Sequence, residues 1–237
     1  MTSAALAVIM DWFPRRSYLR ETVVSELKIV KYPHPALRFE SKPLQAIDKE
    51  VRLMAGRMLE LMYNSRGLGL AGNQVAWPFQ LFVMNAAASS QDPEQQRILI
   101  NPVIVERKGT IEGDEGCLSF PDLYQKVRRA KTVRVQAYDI EGKVIDIVTS
   151  DLPQELAELS SRVLQHEIDH LHGVLFIDKM GPLGRLSARS TLREFERDYR
   201  RAQEKGEYPS DGEIMKRLKE QADGNGPPPI SPASEIV

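Results

Sequence analysis

Six consecutive residues, Gln165-His166-Glu167-Ile168-Asp169-His170, set the tightest constraint on what this chain folds into. The pattern is H-E-x-x-H. On an α-helix, residues four apart stack on one face, so His166 and His170 can both turn an imidazole nitrogen toward one ion. Glu167, one residue on, then lies beside the ion without ligating it, where a carboxylate can shuttle protons. Two histidines leave a tetrahedral ion short of a third protein ligand. Read alone, the pattern fits equally well a structural amphipathic helix with surface histidines, so the rest of the chain has to supply the missing ligand.

The length of 237 residues fits one domain with tails or two small domains. Apolar content of 42% and charged content of 27% are those of a soluble globular protein with a sizeable core. A formal net charge of -1 gives no global pull toward DNA or a membrane surface, and no run is long and apolar enough to cross a bilayer. Cys117 is the only cysteine, which excludes an internal disulfide and leaves a buried small hydrophobe, a nucleophile or a ligand. The apolar opening, Met1 to Met10, lacks a basic region before it and makes a poor secretory signal. Arg15, Arg16 and Arg20 hint at an organelle transit peptide, but Asp11 and Glu21 oppose it. Residues 1–26 are therefore read as an N-terminal extension and the protein as intracellular.

Leu27 to Tyr32 reads as a short strand stopped by Pro33-His34-Pro35, with His34 on the surface. Val51, Met54, Ala55, Met58, Leu61 and Met62 repeat at helical spacing and predict a helix from about Asp48 to Tyr63. The glycine-rich run Gly67 to Gly72 follows that helix, not a strand, and has no Lys-Ser/Thr pair. That context excludes dinucleotide and P-loop sites and leaves a ligand-lining loop or a plain turn. Strands are predicted at Gln80 to Asn85 and Ile98 to Glu106, and a hairpin at Thr132 to Tyr138 and Lys143 to Thr149. A long helix after Pro153 carries the H-E-x-x-H stretch and stops at Gly173. Beyond Gly181, Leu192, Phe195, Tyr199 and Ala202 form an apolar stripe that packs a charged helix onto the domain. Its Arg185, Arg189, Arg193 and Arg197 stripe is interleaved with Glu194, Glu196 and Asp198, which favours a solvated face over an RNA contact. Ser210 and Glu213 form a capping box for a short helix, and residues 224–237 read as a disordered tail.

A third ligand is available in Glu115-Gly116-Cys117-Leu118-Ser119, since a thiolate beside a divalent ion makes a strong donor. Together the three stretches resemble the peptide deformylases, whose signatures are G-x-G-x-A-A-x-Q, E-G-C-L-S and Q-H-E-x-D-H in that order. The second and third match fully; the first, Gly67 to Gln74, departs at Gly72, where the family commonly has alanine. The resemblance covers about Leu27 to Lys179. It implies an α+β fold of mainly antiparallel sheets around the central motif helix, with a catalytic domain at 27–180; the charged helical extension at 181–223, read from its own pattern, lies outside the resemblance.

The resemblance further implies removal of the formyl group from N-terminal formyl-methionine of nascent polypeptides. Cys117, His166 and His170 would hold one divalent ion, ferrous iron by resemblance, with zinc, nickel or cobalt able to substitute. An ion-activated water would attack the formyl carbonyl, with Glu167 taking and returning its proton. Gln74 and the backbone N–H of Leu118 would stabilise the oxyanion. Gly67, Leu68, Gly69, Gly116 and Val163 would bind substrate, Gly69 through its bare backbone and Leu68 and Val163 through the methionine pocket. Asp169 is expected off the ligand face, and Glu115 to need a cationic partner, Arg128 or Arg129. His172 reads as a favourable charge near a helix end. A H-E-x-x-H peptidase is the rival reading, but its third ligand lies downstream, where His172 is too close. A second rival is a deformylase-like protein kept for binding, for instance at the ribosome through the C-terminal helix. The compartment is the bacterial cytoplasm, or an organelle in a eukaryote.

Overall fold

The computed structural model describes residues 27–89 and 92–224; the expected N-terminal extension and all but the first residue of the expected tail lie outside them. Helix α1 (Lys49–Asn64) starts where the Asp48 side chain accepts from the N–H of Val51, 2.9 Å away. Its inward face is Val51, Ala55, Met58 and Met62, at the predicted spacing. Strands β1 (Gly69–Ala71), β2 (Leu81–Asn85), β3 (Gln96–Lys108), β6 (Thr132–Tyr138) and β7 (Val144–Val148) form one antiparallel sheet in the order β1-β2-β3-β6-β7. Strands β4 (Ile111–Cys117) and β5 (Phe120–Arg129) make a separate two-stranded sheet.

Side chains alternate across a strand, and β2 is buried on both faces for that reason. Leu81 and Val83 point into a core with Met58, Met62 and Ile100. Phe82 and Met84 point the other way, into a core with Leu99, Val135, Leu164 and Ile168. The second core belongs to helix α2 (Gln154–Leu171), the motif helix, which lies against β1, β2 and β6. Its stop is as predicted. Gly173 takes φ +69°, its N–H donates to His170 O and that of Val174 to Asp169 O, both at 2.9 Å, in a Schellman arrangement.

Helix α3 (Pro182–Glu204) lays Ala188, Leu192 and Phe195 on a third core built from Phe120, Val127, Phe176 and Met180. Arg185 leaves the expected arginine stripe to donate to the carbonyls of Met180 and Asp178, at 2.9 and 3.2 Å. Helix α4 (Asp211–Gly224) begins at the expected capping box, with Ser210 N–H on Glu213 Oε2 at 3.0 Å and Glu213 N–H on Ser210 Oγ at 3.3 Å. It docks Ile214 and Leu218 onto Ala36 and Phe39.

Three expectations are corrected. Leu27 to Tyr32 forms no strand: it bonds to two different turns, Val30 N–H to Gln74 O at 2.8 Å and Tyr32 N–H to Ser119 O at 3.0 Å. His34 is buried, not on the surface, because Tyr199 and Tyr208 close over its ring with centroids 6.1 and 5.7 Å away. The glycine-rich run is neither a loop nor a plain turn throughout, since it contains β1 and a 3-10 turn, Gly72–Val75.

Candidate metal centre

Four pieces of chain converge at the C-terminal half of α2. Cys117 ends β4, and its Sγ lies 3.3 Å from His170 Nε2. His166 and His170 are four residues apart on α2, with their Nε2 atoms 3.2 Å apart. All three donor atoms lie within 4.8 Å of one another. Donors held at about 2.0–2.3 Å from one tetrahedral ion stand roughly 3.3–3.6 Å apart, so the two close pairs already have nearly that spacing. Lone pairs of neutral imidazoles aimed at each other at this distance repel unless a proton or a cation lies between them. The donor set therefore fits one divalent ion and leaves a tetrahedral position for a further ligand.

Behind the cluster lies a buried charge network. Glu115 Oε2 faces His166 Nδ1 at 3.2 Å, which orients the ring with Nε2 toward the other donors. Arg129 forks onto Glu115 through Nε and Nη2, at 2.7 and 2.9 Å, and its Nη1 donates to Asp169. Lys179 approaches Asp169 at 3.3 Å. Burial alone would push the Glu115 carboxyl up, but its bonds from Arg129 and His166 hold it well below the usual carboxylate range. Arg129 is thus the cationic partner expected for Glu115, while Arg128 pairs instead with Glu112 on the exposed side of the hairpin. Asp169 lies off the donor cluster, as expected, and serves Arg129 and Lys179. His172 is the exposed C-cap of α2.

Glu167 is buried beside the donors, and its Oε2 has no hydrogen-bond partner. Burial raises its carboxyl to about 7, with the nearby His166 acting against that. The carboxylate occupies the space a side chain at residue 69 would take: a Cβ on Gly69 would lie 2.4 Å from Glu167 Oε1. Gln74, also buried, accepts from Ala71 N–H at 2.8 Å through Oε1. Its Nε2 points at Cys117 Sγ and Ser119 Oγ, at 3.4 and 3.2 Å. Leu118 follows Cys117 in the β4–β5 turn, and its carbonyl accepts from Lys31 Nζ at 2.6 Å.

A cleft of about 570 Å³ opens onto this cluster. Every residue named from the sequence for substrate binding lines it: Gly67, Leu68, Gly69, Gly116 and Val163. Sequence reasoning missed three neighbours. Asn73 Nδ2 donates to the carbonyl of His170 and ties the glycine-rich segment to the motif helix. Tyr124, 69% exposed, lines the cleft with its ring against Gly116, where a Cβ would lie 2.4 Å from Cε1. Arg162 lines the cleft one turn before His166; the four-residue spacing was the available signal, but an arginine on the inner face reads as solvent-exposed.

An α+β domain with one cysteine sulfur and two imidazoles converging beside a buried glutamate has the donor set of a mononuclear metal-dependent hydrolase. The chain belongs to the polypeptide deformylase family, whose model matches residues 26–186. It is 38% identical over 194 residues to the peptide deformylase of Rhodopirellula baltica, covering 82% of this chain and 92% of that one. It is also 38% identical over 174 residues to the chloroplastic peptide deformylase 1B of Oryza sativa, covering 73% and 62% of the two chains. Among solved structures, a peptide deformylase from Plasmodium falciparum superposes with a TM-score of 0.67 at 40% identity, covering 73% of this chain and 97% of that one.

Proposed function

We propose that this chain hydrolyses the formamide of N-terminal formyl-methionine on newly made polypeptides, releasing formate and a free α-amine. The observation that carries the reading is the placement of Glu167. Its buried, partnerless carboxylate oxygen stands beside the Cys117, His166 and His170 cluster at the wall of a cleft sized for a peptide terminus. A divalent ion held by those three residues supplies Lewis acidity and lowers the pKa of water.

The chain's own groups supply the rest. Glu167 takes the proton of the attacking water as the new C–O bond forms, and gives it to the nitrogen as the C–N bond breaks. Gln74 Nε2 and the Leu118 N–H donate to the carbonyl oxygen as it gains charge. β1 is an edge strand of the five-stranded sheet, so Gly69 offers open backbone groups to an extended peptide. Gly67 and Gly116 keep the cleft open on either side, while Leu68 and Val163 receive the methionine side chain.

A set of one thiolate and two imidazoles accepts iron, zinc, nickel or cobalt; ferrous iron is proposed on the family resemblance. Residues 27–180 form the catalytic unit in this reading, 181–223 a helical extension and 224–237 a tail, with 1–26 preceding them. Nascent chains are the partner, in a bacterial cytoplasm or an organelle. A ribosome contact through the C-terminal helices is an added role in this reading; the exposed Arg189, Arg193 and Arg197 of α3 share their surface with the exposed Glu194 and Asp198 and do not by themselves favour it.

The test is formate release from a formyl-Met peptide by anaerobically purified protein, with Glu167→Ala in parallel. Activity lost in the variant by roughly 10²–10⁴-fold, with the ion still bound, supports the reading and the proton role. Metal-loaded wild type that releases no formate sinks it.

A further inference from the structure

Arg162 has no part in the chemistry above, yet it is only 7% exposed. Its guanidinium turns away from solvent toward the β4–β5 hairpin. Nη1 donates to Glu115 Oε1 at 3.2 Å and to the carbonyl of Val127 at 3.0 Å. Nη2 is buried without a partner, which carries a desolvation cost that the fold accepts. Room for it exists because residue 113 is glycine: a Cβ there would lie 2.7 Å from Nη2 and 3.1 Å from Cζ.

Arg129 holds both oxygens of Glu115 with a two-bond fork and shares its charge with Asp169. What Arg162 adds, besides charge, is a second reference point. Arg129 grips the carboxylate from the side of β5, and Arg162 reaches Oε1 from α2. Held from two elements, the carboxylate is fixed relative to the motif helix as well as to the hairpin, and Oε2 stays aimed at His166 Nδ1. Arg162 and His166 are also one turn apart on a single helix, so the acceptor and the ring it orients are referenced to the same backbone.

We propose that Arg162 is a positioning residue of the metal centre: by locking Glu115 it keeps the Nδ1–H of His166 on Oε2 and presents Nε2 to the ion. The proposal rests on the metal-centre reading of Cys117, His166 and His170. A residue serving the fold alone would change stability and leave ion affinity untouched, so affinity is the deciding readout.

The experiment measures Zn²⁺ affinity of the full chain by competition with a chromogenic chelator, alongside unfolding midpoints of the metal-free proteins. Arg162→Met should bind Zn²⁺ about 10–100-fold more weakly, the usual cost of losing a group that orients a ligand. Arg162→Lys should recover part of that, since it keeps the charge but not the planar fork. Gly113→Ala keeps Arg162 and displaces only the tip of a flexible side chain, so it tests the same contact should Arg162→Met fail to fold. It should weaken Zn²⁺ binding in the same direction, and added to Arg162→Met it should cost nothing further. Wild-type affinity in Arg162→Met, or in Gly113→Ala if only that variant folds, overturns the proposal even where metal-free stability falls. A wild-type chain that binds no Zn²⁺ overturns the metal-centre reading with it.

Discussion

Replacing Gly69 with alanine tests whether the position of Glu167 is set by empty space in the opposing strand. The added Cβ would stand 2.4 Å from Oε1 and 2.7 Å from both Cδ and Cγ of Glu167. Ordinary carbon contacts begin near 3.5 Å, so the carboxylate has to retreat by about 1 Å. The strand itself tolerates the change. Gly69 pairs with Met84 without a left-handed φ, and alanine loses less entropy in a strand than glycine. A misplacement of about 1 Å in a reacting group costs on the order of 10²-fold in rate. The expectation is a kcat for formyl-Met peptide hydrolysis lowered roughly 10²-fold with near-native KM, ion content and melting temperature. Gly67→Ala separates the two roles: its Cβ meets Leu118 Cδ1 at 2.6 Å and Gly69 O at 3.3 Å but not Glu167, so it should narrow the cleft and raise KM without moving the carboxylate. A Gly69→Ala enzyme with wild-type kcat refutes the reasoning. A rise in KM alone would mean that Gly69 serves the peptide backbone and has no part in placing the carboxylate.

Gln74→Glu keeps an acceptor for the Ala71 N–H but removes the N–H donor facing Cys117 and Ser119. Its kcat is expected to fall by about 10²-fold or more, and steady-state kinetics at saturating peptide will show whether it does. Stripping the ion with a chelator should abolish formate release and lower the melting temperature, and added divalent ion should restore both; unchanged activity after stripping would exclude a metal role. His34 supplies a pH test. Burial lowers its pKa from 6.5 to about 4, against the pull of Asp211, and its ring is faced by Tyr199 of α3 and Tyr208 of the turn beyond it. Its Nδ1 accepts from the Ala36 N–H, which protonation would break. A depressed folded pKa means the contribution is whole above pH 6.5 and is lost as pH falls toward 4, a loss of about 3 kcal/mol. Denaturant unfolding at pH 7 and 4.5 should show wild type losing roughly 2–3 kcal/mol more than His34→Gln; equal losses would refute the assignment.

The parts of the fold that were legible in the sequence carry a local apolar pattern: α1, α2 and β6 bury apolar residues at the 3.6- or 2-residue period, whereas β2, β3 and β7 are apolar runs between polar breaks. All six stand within two residues of their expected bounds. The β4–β5 hairpin was not read because its inward residue at the centre is a charge. Ile111 to Cys117 carries three acids and two glycines, and Glu115 is buried only because Arg129, fourteen residues on, and Arg162, on α2, meet it there. Such a strand is made by its partners, and no local pattern announces them. His34 went wrong for a similar reason, since the rings that bury it come from α3 and the turn beyond, over 160 residues downstream. The donor cluster was legible because helical spacing alone aligns His166 with His170, and the thiolate had no competitor as the single cysteine.

The opening segment shows how motifs distant in sequence become one site. In an extended run alternate N–H groups leave on the same side, and a regular ladder would deliver them all to one neighbouring strand. Here Val30 gives its N–H to Gln74 and Tyr32 gives its own to Ser119, with Lys31 Nζ on Leu118 O between them. The segment therefore ties the glycine-rich turn to the turn that follows Cys117. Gln74 repeats the tie at side-chain level through Cys117 and Ser119, and Asn73 extends it to α2 through the carbonyl of His170. Each of these bonds joins two motifs and none lies within one. Their cost in ordering entropy is incurred together when the three pieces dock, so the donor cluster and the cleft wall form with the tertiary fold and not with any single helix or strand. That is why Leu27 to Tyr32, apolar and β-branched enough to suggest a strand, is better understood as a brace: its partners are chosen by the site it closes.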